Sequence, residues 1–429
     1  MRLLYSLLWW LALPLVLARL WLRGKQEAGY RQHWGERLGW YGAALAPGAG
    51  PTFWVHAVSV GETRAAEPLV DALLATYPAS RIVLTHMTPT GRATGKALFA
   101  RHGARLIQSY LPYDTATMVG AFVRHFQPSI CLLMETEVWP NLIAVCGRRG
   151  VPVALLNARL SARSLRKAER LGGLMRAAAR GITLVAAQTA ADAERVASLG
   201  ATNVAVTGSI KFDVQVPAAA LATGGALRAS IGSRPVLLCA STRDGEEELI
   251  LDALLRLKDG PPGLLLLLVP RHPQRFDSVA ALVGARALTL RRRSQLDLDG
   301  APMPADVQVL LGDSMGEMFA YYAACDCAFV GGSLLPLGGQ NLIEPCALGK
   351  PVLIGPHTFN FAVVTDDAIA AGGARLVADA DALMAAASAL LDDGAGRAAM
   401  GQCALAFANQ HGGATARTLA LLPPLLAAR

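Results

Sequence analysis

Cysteine is sparse: seven residues in a chain of 429. They are Cys131, Cys146, Cys239, Cys325, Cys327, Cys346 and Cys403. The number is odd, no Cys-x-x-Cys pair occurs, and most sit in apolar runs. This argues against a disulfide framework or a cysteine-held metal and reads as reduced core thiols of a cytosolic domain. Other signatures are missing as well. No Walker loop occurs, and no G-x-G-x-x-G opens the first strand–helix turn, which argues against a dinucleotide redox enzyme. No G-x-S-x-G elbow is present. Zinc-finger spacing, an RNA-binding aromatic motif and a lysine-rich arm are also absent. The net charge of +8 is therefore not assigned to nucleic acid.

What the chain does have is apolar surface. Hydrophobic residues make up 53%, and the mean hydropathy of +0.36 is high for a soluble enzyme. A basic protein beside a membrane meets anionic headgroups or phosphorylated substrates. Leu3–Leu22 is apolar except for Ser6 and Arg19, long enough as a helix to cross ~30 Å of hydrocarbon. Trp9, Trp10 and Trp21 suit interfacial anchoring. Arg23, Lys25 and Arg31 follow the stretch, whereas only Arg2 precedes it, which puts the bulk of the protein in the cytoplasm. A cleaved signal peptide is the alternative. Pro14 and Arg19 weaken a span, so a segment lying on the membrane surface is another.

The length favours two domains after this anchor. A basic, aromatic stretch, Gly24–Trp40, is expected near the membrane, followed by a small linker, Gly42–Pro51. Apolar runs then recur at Phe53–Val58, Ile82–Thr85, Ile130–Met134, Val153–Leu156 and Leu184–Ala187. Amphipathic segments such as Pro68–Ala75, Thr115–Arg124 and Leu160–Ala179 alternate with them, the signature of βαβ units. Asp213–Arg228 reads as an interdomain linker. Alternation restarts at Val236–Cys239, Leu264–Val269, Val307–Leu311, Cys327–Val330 and Pro351–Ile354. The expected fold is α/β: an anchor over 1–30, then two Rossmann-like domains, 31–215 and 216–429, facing a cleft. Arg291–Arg293 and the spaced acids Asp297 and Asp299 fall in a polar loop read as solvated surface.

Polar groups collect at strand ends, where open α/β sheets bind ligands. Glu62 follows the first strand; it can take a proton from an attacking hydroxyl, or simply favour a helix start. Glu135 and Glu137 follow the strand Ile130–Met134; one of the two acids can cap the next helix. Lys211 lies at the domain junction, either placed to stabilise a departing phosphate or solvated. In the second half, Pro270, Arg271 and His272 end a leucine strand, with Arg271 suited to phosphate. Met315, Gly316 and Glu317 form another strand-end turn. The stretch Gly331–Phe361 is a glycine-rich turn running into a helix expected to open at Asn341, Leu342, Ile343 and Glu344, whose N–H groups suit an anion. Arg163, Arg166, Lys167 and Arg170 share one helical face, solvated or set against lipid phosphates.

In this order HAVSVGE, METEVWPN, GSIKFD, PRHP, DSMGEM and GGSLLPLGGQNLIEP followed by GPHTFNF resemble the bacterial 3-deoxy-D-manno-octulosonic acid (Kdo) transferases, up to about Phe361. The resemblance implies the two-domain GT-B glycosyltransferase fold and an inverting transfer of Kdo from CMP-Kdo to the lipid A precursor, at the cytoplasmic face of the inner membrane. The first domain would take the lipid and the second the CMP sugar, with an anionic membrane surface as a further partner. By motif, Glu62 matches the catalytic base, and Glu135 and Lys211 match residues supporting the transition state. Arg271, Met315–Glu317 and Asn341–Glu344 match the CMP-binding segments. No metal or other cofactor is implied. The chain departs from the family at Gln340 and Arg243, where histidine is usual. Another sugar-nucleotide transferase or an epimerase of the same fold, or a non-catalytic nucleotide-binding membrane protein, are the rival readings.

Overall fold

Runs of Val, Leu, Ile and Ala with no polar alternation suit strands covered on both faces, and they form two parallel sheets. The computed structural model describes residues 1–427 apart from 47, 299 and 301. Contacts divide the chain into two compact units, Met1–Asp213 with Gly412–Arg429, and Val214–His411.

In the first unit the strands are β1 (Thr52–His56), β2 (Arg81–His86), β3 (Leu106–Tyr110), β4 (Ile130–Met134), β5 (Val153–Ala158), β6 (Leu184–Ala187) and β7 (Val204–Val206). All pair in parallel, in the order β3-β2-β1-β4-β5-β6-β7. Chain order reverses between β1 and β4, which is where such a sheet opens a ligand crevice beyond its carboxyl edge. In the second unit the strands are β8 (Val236–Thr242), β9 (Leu265–Pro270), β10 (Leu290–Arg292), β11 (Val309–Leu311), β12 (Cys327–Val330), β13 (Val352–Ile354) and β14 (Ala374–Leu376). Their order is β10-β11-β9-β8-β12-β13-β14, and the reversal falls between β8 and β12. Each unit is thus a Rossmann-like α/β layer, and the tandem is of the GT-B class. Each has apolar clusters on both faces of its sheet, Trp54–Phe122 and Phe53–Leu69 in the first, Leu237–Phe329 and Leu238–Tyr322 in the second.

Several expectations change. The stretch expected as a linker is mostly the helix Ala218–Ile231. Its Gly224 permits close helix packing, since a β-carbon there would come within 2.5 Å of Ala323 Cβ. The amphipathic segment Leu160–Ala179 is two helices, Ala162–Arg170 and Gly173–Arg180, broken at Gly172 with φ 45°. The second unit stops at His411, and the helix Ala414–Ala420 packs back on the first. Arg37, in the stretch expected near the membrane, is buried; its guanidinium sits 3.7 Å from the Tyr110 ring centre and donates to the Met87 carbonyl. All seven cysteines are unpaired, and all but Cys403 are buried. The first 22-residue helix, Arg2–Arg23, is long and apolar enough to cross a membrane.

Candidate active site

In the first unit the polar groups gather at the β1/β4 reversal. β1 stops at His56, and Ala57–Ser59 turns the chain into the helix Val60–Ala65, with Glu62 in its first turn. The Glu62 carboxylate reaches back to accept the Val58 N–H. A buried imidazole braces this loop: His86 Nδ1 lies 3.0 Å from the Ala57 carbonyl, and Gln108 Nε2 3.1 Å from His86 Nε2. Burial holds His86 neutral, at about 3. Glu62 is half-buried, and its acidity is pushed up to about 7, chiefly by that burial. The charges of Glu137 and Glu135 push the same way, while the Val58 N–H and Lys211 oppose.

Glu135 follows β4 in the left-handed region at φ 58°, a conformation costly for a side chain with a β-carbon. Its amide donates to the Leu156 carbonyl of the adjoining β5, which fixes it there. Glu135 Oε1 lies 2.8 Å from Lys211 Nζ. Lys211 is carried by the short helix Ile210–Phe212, whose Ile210 N–H donates to the buried Asn157 Oδ1 at 3.1 Å. Glu62, Glu135 and Lys211, which the sequence separates widely, are therefore brought to one edge of one sheet.

Two further residues join this cluster: Glu137, read from the sequence only as one of two acids either of which could cap the next helix, and His56, which the sequence did not single out. Glu137 does not cap the helix Pro140–Arg148. Its Oε2 accepts from Trp139 Nε1 at 2.9 Å, and the helix N–H groups of Asn141 and Leu142 go to Asp114 instead. His56 is wholly buried. Thr85 Oγ1 spends its proton on the Val55 carbonyl, so His56 Nδ1 donates to Thr85. His56 Nε2 has no hydrogen-bond partner and lies 3.8 Å from Glu137 Oε2.

In the second unit the β8/β12 reversal is already filled. Glu246, fully buried, opens the helix Glu246–Arg256 and accepts from Arg243 N, Gly332 N, Ser333 N and Leu334 N, all at 2.6–2.9 Å. The glycine-rich turn was expected to offer its N–H groups to a ligand anion; three of them are taken by this carboxylate. The helix after it is also shorter than expected. It runs Ile343–Ala347 and not from Asn341, whose Oδ1 accepts the Ile343 N–H while its Nδ2 donates to Glu344 Oε1 at 3.1 Å.

Cations line the end of β9. Arg271 N donates to the Thr242 carbonyl. Arg275 donates to the buried Glu247 at 2.7 Å and pairs with Asp244 at 2.9 Å. Burial and then Arg243, Arg271 and Arg275 push the exposed His272 below its ordinary range. Pro270, Arg271 and His272 thus belong to a positive patch to which Arg243 adds. At the next strand end, Gly316 takes φ 83°, which only glycine adopts freely, and Met315 stands 62% exposed. Glu317 accepts from Arg293 at 2.9 Å and from Ser314. Arg292 pairs with Asp277 at 2.7 Å. The arginine run expected to be solvated is therefore structural in part, bracing the Met315–Glu317 turn. Asp299 lies outside the described residues. Arg163, Arg166, Lys167 and Arg170 are all exposed on the helix Ala162–Arg170. Among the described residues, no group of three or more His, Cys, Asp or Glu is placed to hold a metal ion.

Residues 32–214 match the family model described as 3-deoxy-D-manno-octulosonic-acid transferase (kdotransferase). The chain is 48% identical over 413 residues to the 3-deoxy-D-manno-octulosonic acid transferase of Bordetella pertussis, covering 95% of each. It is 39% identical to that of Haemophilus influenzae, covering 99% of each. The chain belongs to the Kdo transferase family. Membership makes it a glycosyltransferase. A solved UDP-GlcNAc 2-epimerase from Neisseria meningitidis is similar in fold to this chain, with a TM-score of 0.58 over 87% of this chain and 99% of the other, at 16% identity. At that identity the likeness speaks for fold alone.

Proposed function

We propose that the chain is an inverting glycosyltransferase moving Kdo from CMP-Kdo to the lipid A precursor in lipopolysaccharide biosynthesis, with Glu62 as general base. The supporting observation is Glu62 itself: a half-buried carboxylate at the β1/β4 reversal, poised near pH 7, beside the Glu135–Lys211 pair. A base is most effective when its pKa lies near the working pH. In this reading the acceptor hydroxyl attacks the anomeric carbon as the Kdo–phosphate bond breaks with oxocarbenium character. Its proton passes to Glu62 late in the step. CMP departs with the bonding electrons, and Arg271 holds the charge that develops on it, while Lys211, paired with Glu135, supports the transition state. The first unit serves the lipid and the second the nucleotide, through Arg271, His272, Met315–Glu317 and Asn341–Glu344. No metal enters the proposal, so chelation leaves turnover unchanged.

In this reading the reaction takes place at an anionic membrane surface, the cytoplasmic leaflet of the inner membrane; the first helix, long and apolar enough to cross a membrane, and the exposed basic face Arg163–Arg170 support it. The test is acceptor-dependent CMP release by Glu62→Gln, run beside CMP binding by calorimetry. Lost release with binding kept within about twofold supports the base assignment. Near-normal release removes Glu62 from that role. A wild-type protein that binds CMP and never releases it from CMP-Kdo refutes the reaction.

A further inference from the structure

The apolar helix Arg2–Arg23 does not stand clear of the first unit. Tyr5, Trp9, Leu13, Val16 and Leu20 recur every three or four residues, one side of an α-helix, and this stripe is the side less exposed than the rest. Leu20 is buried with Tyr113 and Met118, and Trp9, Leu13 and Val16 pack on the same cluster. The Trp9 and Tyr113 rings lie 5.6 Å apart. Toward the start of the helix the seam turns polar. Tyr5 donates its hydroxyl proton to Asp114 Oδ2 at 2.9 Å, and Ser6 Oγ lies 3.1 Å from Asn141 Oδ1. Asp114 and Asn141 are themselves buried, and Asp114 accepts the first N–H groups of the helix Pro140–Arg148.

The helix has 22 residues, about 33 Å, and contacts near both of its ends fall on one domain surface. A helix that crosses a bilayer puts its ends on opposite sides. Here that would carry Asp114, Asn141 and the loops that bear them into hydrocarbon, which excludes such backbone and side chains. The outward side is apolar, with Leu3, Leu8, Leu11 and Leu15 all more than half exposed. Cations cluster toward the C-terminal end: Arg19 and Arg23 are exposed, and Lys25 and Arg31 sit 5.4 and 4.8 Å from the Trp21 ring centre. Apolar face, basic rim and interfacial tryptophan together match an anionic lipid surface.

We propose that this helix lies in the plane of one anionic leaflet without crossing it, its outer side in the acyl chains and its inner stripe on the domain. The inference rests on the membrane reading above and adds the geometry of the contact. Asn141 belongs to the segment that follows Glu135 and Glu137, so the seam ties the lipid surface to the strand end that carries the acids. A lipid-borne hydroxyl then arrives from the side, within the leaflet.

The test is topology in native membranes. In the full chain carrying Cys403→Ser, Arg2→Cys reports the helix start and, in a second variant, Lys258→Cys reports the second unit. A membrane-impermeant maleimide is added to inverted inner-membrane vesicles and to intact spheroplasts. The expected result is that both positions label in inverted vesicles and at least tenfold less in spheroplasts. Labelling of Arg2→Cys from spheroplasts alone, with Lys258→Cys labelled from inverted vesicles alone, means a spanning helix and overturns the proposal while keeping the membrane reading. A chain washed off the membranes altogether overturns both.

Discussion

Glu62 carries a prediction in the pH dependence of the reaction. Its folded pKa is about 7 against an ordinary 4.5. Below that value the base is protonated, so kcat/KM should rise tenfold per pH unit up to about 7 and level off above it. A profile flat from pH 5 to 9 in steady-state kinetics would contradict the assignment. Stability runs the other way. The folded state holds the proton more tightly than the unfolded chain, so the contribution is intact below pH 4.5 and falls as pH rises to 7. Glu62→Gln should therefore raise stability above pH 7, by about 1–3 kcal/mol, read as a melting shift that disappears at pH 4. Lys211→Met leaves Glu135 without its ion pair at a strained backbone position, and turnover should drop at least ~100-fold. Adding Glu135→Gln should cost little more, because the two act as a unit. The three residues were legible in sequence because each ends or follows an apolar run. His56 was not, and Glu137 was visible as a second strand-end acid but not as a neighbour of His56. Their meeting depends on β1 lying beside β4, an ordering that no local pattern spells out.

At the scale of elements, the glycine-rich turn after β12 shows how a motif can be right in place and wrong in mechanism. Its glycines do allow a tight approach: Gly332 has φ 69°, and a β-carbon on it would come within 3.1 Å of Gln340 Nε2. The anion they receive is the chain's own Glu246. Sequence could not show this, because the Glu246 carboxylate comes from a helix some eighty residues earlier. Glu246→Ala strands four N–H donors in a dry site and should destabilise the second unit by about 3–5 kcal/mol. Denaturant unfolding with CMP binding measures it; a variant as stable as wild type would show that the turn stands without its carboxylate. The alternating apolar runs revealed ten strands directly. Four were missed: β7, β10 and β14 because three residues carry no period, and β3 because its five residues, Leu-Ile-Gln-Ser-Tyr, form no apolar run. Ala218–Ile231 looked like a linker because alanine and glycine pack helices without displaying a hydrophobic stripe.

Over the whole molecule, the chain leaves the first unit at Asp213 and returns at Gly412. The return is specific: Asp213 accepts from Gly413 N and Thr415 N, and Leu422 and Ala414 are wholly buried in the first unit's core. Removing residues 412–429 should lower the unfolding midpoint of the first unit and leave CMP binding by the second intact. Loss of both together would mean that the units do not unfold independently. The reading of the second domain as running to the terminus failed because the tail's apolar residues give no sign of which core they join.

The most direct measurement is mass spectrometry of the lipid after the detergent-solubilised chain meets CMP-Kdo and tetraacylated lipid A precursor without added metal. The expected result is a lipid heavier by one or more Kdo units for the wild type and no gain for Glu62→Gln. Unmodified lipid with folded protein and intact CMP-Kdo would contradict the proposed reaction.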